Sequence, residues 1–212
     1  MEIDKKELLH YLGWKGQETD EQLYKKIEDA AKRCLDFATP RSVVKKFTLN
    51  EDFSLGETGF ILQGKDIRAH LQGCFEVYLM AFTLGSAVER ETARLSVTSM
   101  TEALLFDTAA SCAIESYCDD ICIDLENSCK KSLTPRFSCG YGDFPLESQK
   151  DICRILETQK RIGLIADENF LLNPRKSVTA LAGITVSPAK KGQGCYGKCA
   201  GCNKNDCQFR KQ

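Results

Sequence analysis

Phe75-Glu76-Val77-Tyr78-Leu79-Met80-Ala81-Phe82-Thr83 is an apolar, aromatic run closed by Gly85, and the residues from Ser86 to Lys131 after it contain neither glycine nor proline. The first segment suits a central strand, because aromatic and branched side chains pack well on a pleated surface. The second holds no breaker and predicts two helices, one near 86–97 and a longer one near 99–130. In the longer one Leu104, Leu105, Ala109, Ala113, Ile114, Tyr117, Ile121 and Leu125 recur every three or four residues, the stripe of a helix laid on a core.

On the N-terminal side, residues 4–13 predict a short helix with Leu8, Leu9 and Leu12 on one face and Gly13 at its end. Thr19 and Asp20 open a second helix to about residue 38, with Leu23, Ile27, Ala31, Cys34 and Leu35 at helical spacing, and Pro40 stops it. Ser42 to Leu49 reads as a strand, as does Phe60-Ile61-Leu62 after the turn at Gly56 to Gly59. On the C-terminal side, Pro135 to Pro145 is an irregular loop with two glycines, and Leu146 to Ile162 is an amphipathic helix ended by Gly163. Phe170-Leu171-Leu172 and Lys176 to Val186 predict a hairpin joined by Asn173-Pro174-Arg175. Helices and strands do not alternate, which favours α+β, a single domain with a mostly antiparallel sheet and flanking helices, over a doubly wound sheet. After Pro188 the composition turns to Lys, Gly, Asn and Cys, giving a division into residues 1–188, with N-terminal helices over about 1–39, and a small Cys-rich C-terminal tail at 189–212.

The chain has 29 basic and 30 acidic residues and a net charge of -1, so it lacks the basic surplus that neutralising nucleic-acid phosphates requires. No apolar run approaches the roughly 20 residues of a membrane helix, and the charged start, Met1 to Lys6, has no signal-peptide core. The expectation is a cytoplasmic protein with no nucleic-acid or membrane partner. His10 and His70 are the only histidines, too few for a multi-histidine metal site, and both are expected to be structural. Of 12 cysteines, Cys34, Cys74, Cys112, Cys118, Cys122, Cys129, Cys139 and Cys153 are scattered, mostly among apolar neighbours, and are expected to pack as small hydrophobes. Cys195, Cys199, Cys202 and Cys207 are clustered between glycines, where four thiolates suit a [4Fe–4S] cluster or, as the alternative, zinc. Cys-x3-Cys-x2-Cys is also the cluster motif of radical S-adenosylmethionine enzymes, but there it lies early in a (β/α) barrel, and here only ten residues follow Cys202.

Within the loop, Arg136 offers a planar fork matched to a carboxylate, Gly140 permits close backbone approach, and Tyr141 adds a flat face with a hydroxyl. Arg136-x-x-x-Gly140-Tyr141, followed by a helix, Gly163-Leu164 and Asn173-Pro174-Arg175-Lys176-Ser177-Val178, resembles the S-adenosylmethionine-binding reactivation domain of cobalamin-dependent methionine synthase. The match runs over roughly residues 100–187, and the N-terminal third matches only in its pattern of elements. The resemblance implies a curved α+β domain with a shallow ligand groove. It implies that Arg136 holds the methionine carboxylate, that Gly140 and its neighbours meet the nucleoside, and that Tyr141 lies between ligand and corrin as the residue nearest the chemistry. Glu115 is the candidate for the family's helix glutamate. Six positions before Arg136, where the family has an acid, this chain has Lys130. The implied function is reductive remethylation of the cobalamin of a separate methionine synthase or other corrinoid protein, with an electron donor such as flavodoxin or ferredoxin. Two alternatives are an iron–sulfur electron-transfer activator of a corrinoid protein and a non-catalytic module whose zinc knuckle docks a partner.

Overall fold

The computed structural model describes residues 1–14 and 20–185. In chain order they form α1 (Lys5–Tyr11), α2 (Glu21–Phe37), β1 (Arg41–Thr48), α3 (Lys65–His70), β2 (Glu76–Thr83), α4 (Ser86–Thr98), α5 (Met100–Cys129) and β3 (Ser132–Leu133). Then come α6 (Ser148–Leu156), α7 (Thr158–Ile162), β4 (Ile165–Ala166), β5 (Leu172–Asn173) and β6 (Ser177–Thr185). The result is α+β, as expected. β1-β2-β6-β3 is a four-stranded sheet, antiparallel throughout, and β4-β5 is a separate two-stranded one.

Strand β2 is central and buried on both faces, and its alternation sorts the core into two halves. Met80 and Phe82, with Ala180, Ala182 and Ile184 of β6, face a helical layer whose buried residues include Leu8, Ile27, Leu95, Phe106 and Ala113. Val77, Leu79 and Ala81, with Leu181, face the other layer, where Ile67, Phe144, Ile152, Leu156 and Ile162 pack. Helix α5 supplies most of the first half, burying Ala103, Leu105, Phe106, Ala109, Ala110, Ala113, Ile114 and Cys118 among others. Its start is fixed by Ser99, whose side chain accepts from the Glu102 N–H at 3.3 Å. Its end is Lys130 in a left-handed conformation at φ 53°. Leu104, placed on the buried stripe by its spacing, is 61% exposed because the stripe turns with the helix and Leu105 and Phe106 take the inner face.

Three details depart from the sequence expectations. Residues 146–162 are not one helix: Glu157 adopts φ 54° and breaks them into α6 and α7. Leu172 pairs with Ala166 of β4 and not with β6, so the expected hairpin is a different one. Ile61 makes only an isolated bridge to Ser54. The scattered cysteines behave as small hydrophobes: Cys34, Cys74, Cys112, Cys118 and Cys139 are buried, and Cys122, Cys129 and Cys153 half-buried. Burial pushes the thiols of Cys34 and Cys139 up to about 12, so both are protonated at neutral pH. No helix of the described residues is long and apolar enough to cross a membrane.

Candidate functional site

The segment leaving β3 continues alongside β6: Phe137 exchanges both backbone hydrogen bonds with Leu181 at 2.9 Å. In an extended segment neighbouring side chains turn to opposite sides. Arg136 therefore turns toward α5, while Phe137 packs against the core half on the other side of the sheet.

Arg136 is held there by an acid pair. Its side chain is 7% exposed, and Nη2 donates to Glu115 Oε2 at 2.7 Å. Nη1 donates to Asp119 Oδ1 and lies 3.7 Å from Cys122 Sγ. Glu115 and Asp119 are four apart on α5, so one helix face presents both carboxylates to one guanidinium. Burial opposes the guanidinium's charge, yet Cys118, Asp119, Glu115 and Cys122 outweigh it and its pKa is raised. Burial also raises the Cys118 and Cys122 thiols, which are neutral at pH 7, so the two carboxylates carry this stabilisation. A third acid approaches from α1. The Glu7 carboxyl is pushed up to about 7 by its burial and by the charges of Asp119, Glu115 and Asp4.

Glu115 also borders a cleft of about 410 Å³ between Tyr11 of α1, Ser111 and Ile114 of α5, and Arg175 to Ser177. On its floor Lys176 Nζ lies 2.9 Å from Asp107 Oδ2 and 2.8 Å from Ser111 Oγ. That volume is in the range of small-molecule sites. A larger cleft of about 640 Å³ beside α6, α7 and β4 contains none of Glu115, Arg136, Gly140 and Tyr141.

The rest of the loop is set by α3. Both Asp143 carboxylate oxygens accept from the helix start, from Lys65 N at 2.7 Å and Asp66 N at 2.9 Å. At the other end His70 Nε2 donates to the Pro135 carbonyl at 2.8 Å, consistent with a structural histidine. Gly142, at φ 53°, is required: a Cβ there would lie 2.0 Å from Asp66 Oδ2. Gly140 turns at φ 83°. Tyr141 stacks edge-on against Phe137, centroids 5.8 Å apart, and stays 47% exposed.

The structure thus unites Arg136 with Glu115 and stands Tyr141 on Phe137's side of the same loop. Lys130 is exposed, as the cap of α5. The sequence reading missed Asp119; its signal is an acid one turn beyond Glu115, on a helix without a single basic residue. Glu7 had no local signal, since only packing of α1 on α5 brings it near. Cys195, Cys199, Cys202 and Cys207 lie outside the described residues, and among the described residues no group of three potential ligands could hold a metal ion.

No protein-family model and no curated protein matches the chain. Among solved structures, its fold is similar to the crystal structure of the MetH reactivation domain bound to AdoHcy, with a TM-score of 0.66. The superposition covers 91% of this chain and 76% of that one at 15% identity.

Proposed function

We propose that the chain binds S-adenosylmethionine beside Arg136 and supports reductive remethylation of the cobalamin of a separate methionine synthase or other corrinoid protein. The observation that carries this reading is the buried Arg136 held by Glu115 and Asp119, in a fold similar to a domain solved with AdoHcy.

The residues suit an amino acid carrying a sulfonium. Arg136 matches a carboxylate, but its end-on nitrogens already hold Glu115 and Asp119, so a ligand carboxylate enters by exchange. The displaced acid is then free to meet the ligand's ammonium or sulfonium, and the number of ion pairs is conserved. Such an exchange lowers the desolvation cost of binding, because the guanidinium is never left bare. Gly140, on the same loop, would meet the nucleoside, and the exposed Tyr141 would face the corrin. A corrinoid on the partner, reduced by an electron donor such as flavodoxin or ferredoxin, would supply the nucleophile for the methyl group, while Arg136, Gly140 and Tyr141 would hold S-adenosylmethionine, which becomes AdoHcy. The protein's part is to position the methyl in line. We assign any iron–sulfur or zinc chemistry to Cys195, Cys199, Cys202 and Cys207, in a unit at 189–212 separate from the domain at 1–188.

Calorimetric titration with S-adenosylmethionine tests the reading. Wild type should bind, and Arg136→Ala should bind about 10- to 150-fold more weakly, the value of a charge-assisted pair. Equal affinities, or no wild-type binding at millimolar ligand, would overturn it.

A further inference from the structure

The cleft of about 640 Å³ beside α6, α7 and β4 lies outside the Arg136 site, and its walls follow from the sequence of α6. Lys150, Cys153, Arg154 and Glu157 recur at helical spacing, so one face of the helix lines the cleft, while Gln149, Ile152 and Leu156 are buried on another. Glu157, left-handed at φ 54°, ends α6 there, and Lys160 of α7 with Ile165 and Ala166 of β4 complete the walls.

The interior is apolar. Leu164 in its lining is fully buried, and Ile165 is 40% exposed. Burial raises the Cys153 thiol, which lines the cleft as a neutral group. The Thr158 hydroxyl already donates to the Leu164 carbonyl at 2.7 Å. Among the described residues no buried side-chain nitrogen or oxygen lacks a hydrogen-bond partner. Nothing inside waits for the polar edge of a nucleobase or a sugar, and a hydrocarbon body suits the space.

The charges in the lining are mostly cationic. Glu157 is the one acid among the lining residues, and it is already held by Arg161 at 2.7 Å, with Lys45 3.9 Å away. Arg154 pairs with Asp151 at 3.1 Å. Lys150 and Lys160 are exposed and pair with no carboxylate among the described residues. Lys150 Nζ lies 4.7 Å from the centroid of the Phe170 ring, a contact that leaves its charge in place. Two ammonium groups on aliphatic stems beside an apolar cleft complement an anion with an apolar body.

We propose that this cleft is a second binding site, for a small organic anion with an apolar body, of the class of a medium-chain carboxylate. The hydrocarbon lies against Cys153, Leu164 and Ile165, and the head group meets Lys150 and Lys160. The site stands on volume, lining and charge and does not depend on which ligand Arg136 takes.

Fluorescence titration of the full chain with dansyl-undecanoate tests it. Saturable binding of one probe per chain, displaced by decanoate, is the expected result. The amide of the same probe keeps the body without the charge and should bind about fivefold more weakly. The double change Lys150→Gln with Lys160→Gln, both at exposed positions, should weaken the acid by about the same factor and leave the amide unaffected. Ile165→Glu sets a carboxylate against the hydrocarbon and should abolish binding of the acid, with circular dichroism showing whether that variant is folded. Bound decanoate should also slow alkylation of Cys153, mapped by mass spectrometry, while Cys129 on α5 keeps its rate. No saturable binding by wild type, equal binding of acid and amide, or unchanged affinity in the lysine variant or in folded Ile165→Glu would each overturn the site. Sedimentation with anionic vesicles while the free acid fails to bind would also overturn it, by showing a membrane-facing surface instead.

Discussion

Replacing Arg136 by methionine keeps the volume of the stem and removes the charge, and the structure sets the size of the effect. The arginine side chain is 7% exposed, while Glu115 is 22% and Asp119 37% exposed. Without the guanidinium the two carboxylates are left four residues apart on α5, but both can draw water. The cost should fall below the 3–5 kcal/mol of a fully buried orphan charge, at about 2 kcal/mol. The opposite deletion, Glu115→Ala with Asp119→Ala, strands a guanidinium that water barely reaches and should reach the full 3–5 kcal/mol. For a chain of this size about 2 kcal/mol corresponds to a fall in Tm of roughly 4–8 °C. Urea unfolding of the two variants beside wild type measures both values. If Arg136→Met is the more damaging, or if the double acid variant is as stable as wild type, the charge balance drawn around Arg136 is wrong.

Glu7 gives a pH signature. Its carboxyl titrates near 7 in the folded chain against an ordinary 4.5, so folding takes up a proton between those values. Its contribution is fully present below about pH 4.5 and is lost as pH rises through 7. The urea midpoint of Glu7→Gln should therefore fall less than that of wild type between pH 5 and about 8, and parallel curves would show that Glu7 is not held up. Tyr141→Ala should keep S-adenosylmethionine affinity within a few fold while slowing methylation of a partner's Co(II) cobalamin. Collapse of binding with unchanged turnover per bound ligand would mean the residue is misplaced. Truncation after Ser187 should preserve helix content and ligand binding while removing all bound iron or zinc. Equal metal in both forms, read by metal analysis, would move that site to the scattered cysteines.

The fold was legible wherever a long segment carried one clear periodicity. The apolar run at 75–83 became the central strand β2, and the breaker-free stretch after Gly85 became α4 and α5 within a residue or two of the expected ends. Short elements were not legible. Helix α3 has only six residues and is held by Asp143, far away in sequence, and β3 is two residues long. The break at Glu157 escaped notice because a glutamate rarely takes a left-handed conformation, and only tertiary packing specifies it there. Strand pairing failed at 170–173 for a related reason: apolar alternation marks a strand but does not name its partner, and Leu172 found Ala166. At the site, the motif named Arg136, Gly140 and Tyr141, and the resemblance offered Glu115 as the helix glutamate. That Arg136 is already paired with Glu115 and Asp119 could not be read from spacing, since it follows from how β3 and its extension lie against α5.

The most direct test of the central claim is calorimetric titration of the full chain with S-adenosylmethionine, repeated with AdoHcy, at two pH values either side of 7. The account predicts saturable binding of one ligand per chain, shared by both compounds. It also predicts that binding of the cationic methyl donor releases protons near pH 7, as a positive charge beside Glu7, Glu115 and Asp119 draws the Glu7 carboxyl down. A titration that shows no saturable heat with either compound up to millimolar concentration would contradict the account at its root.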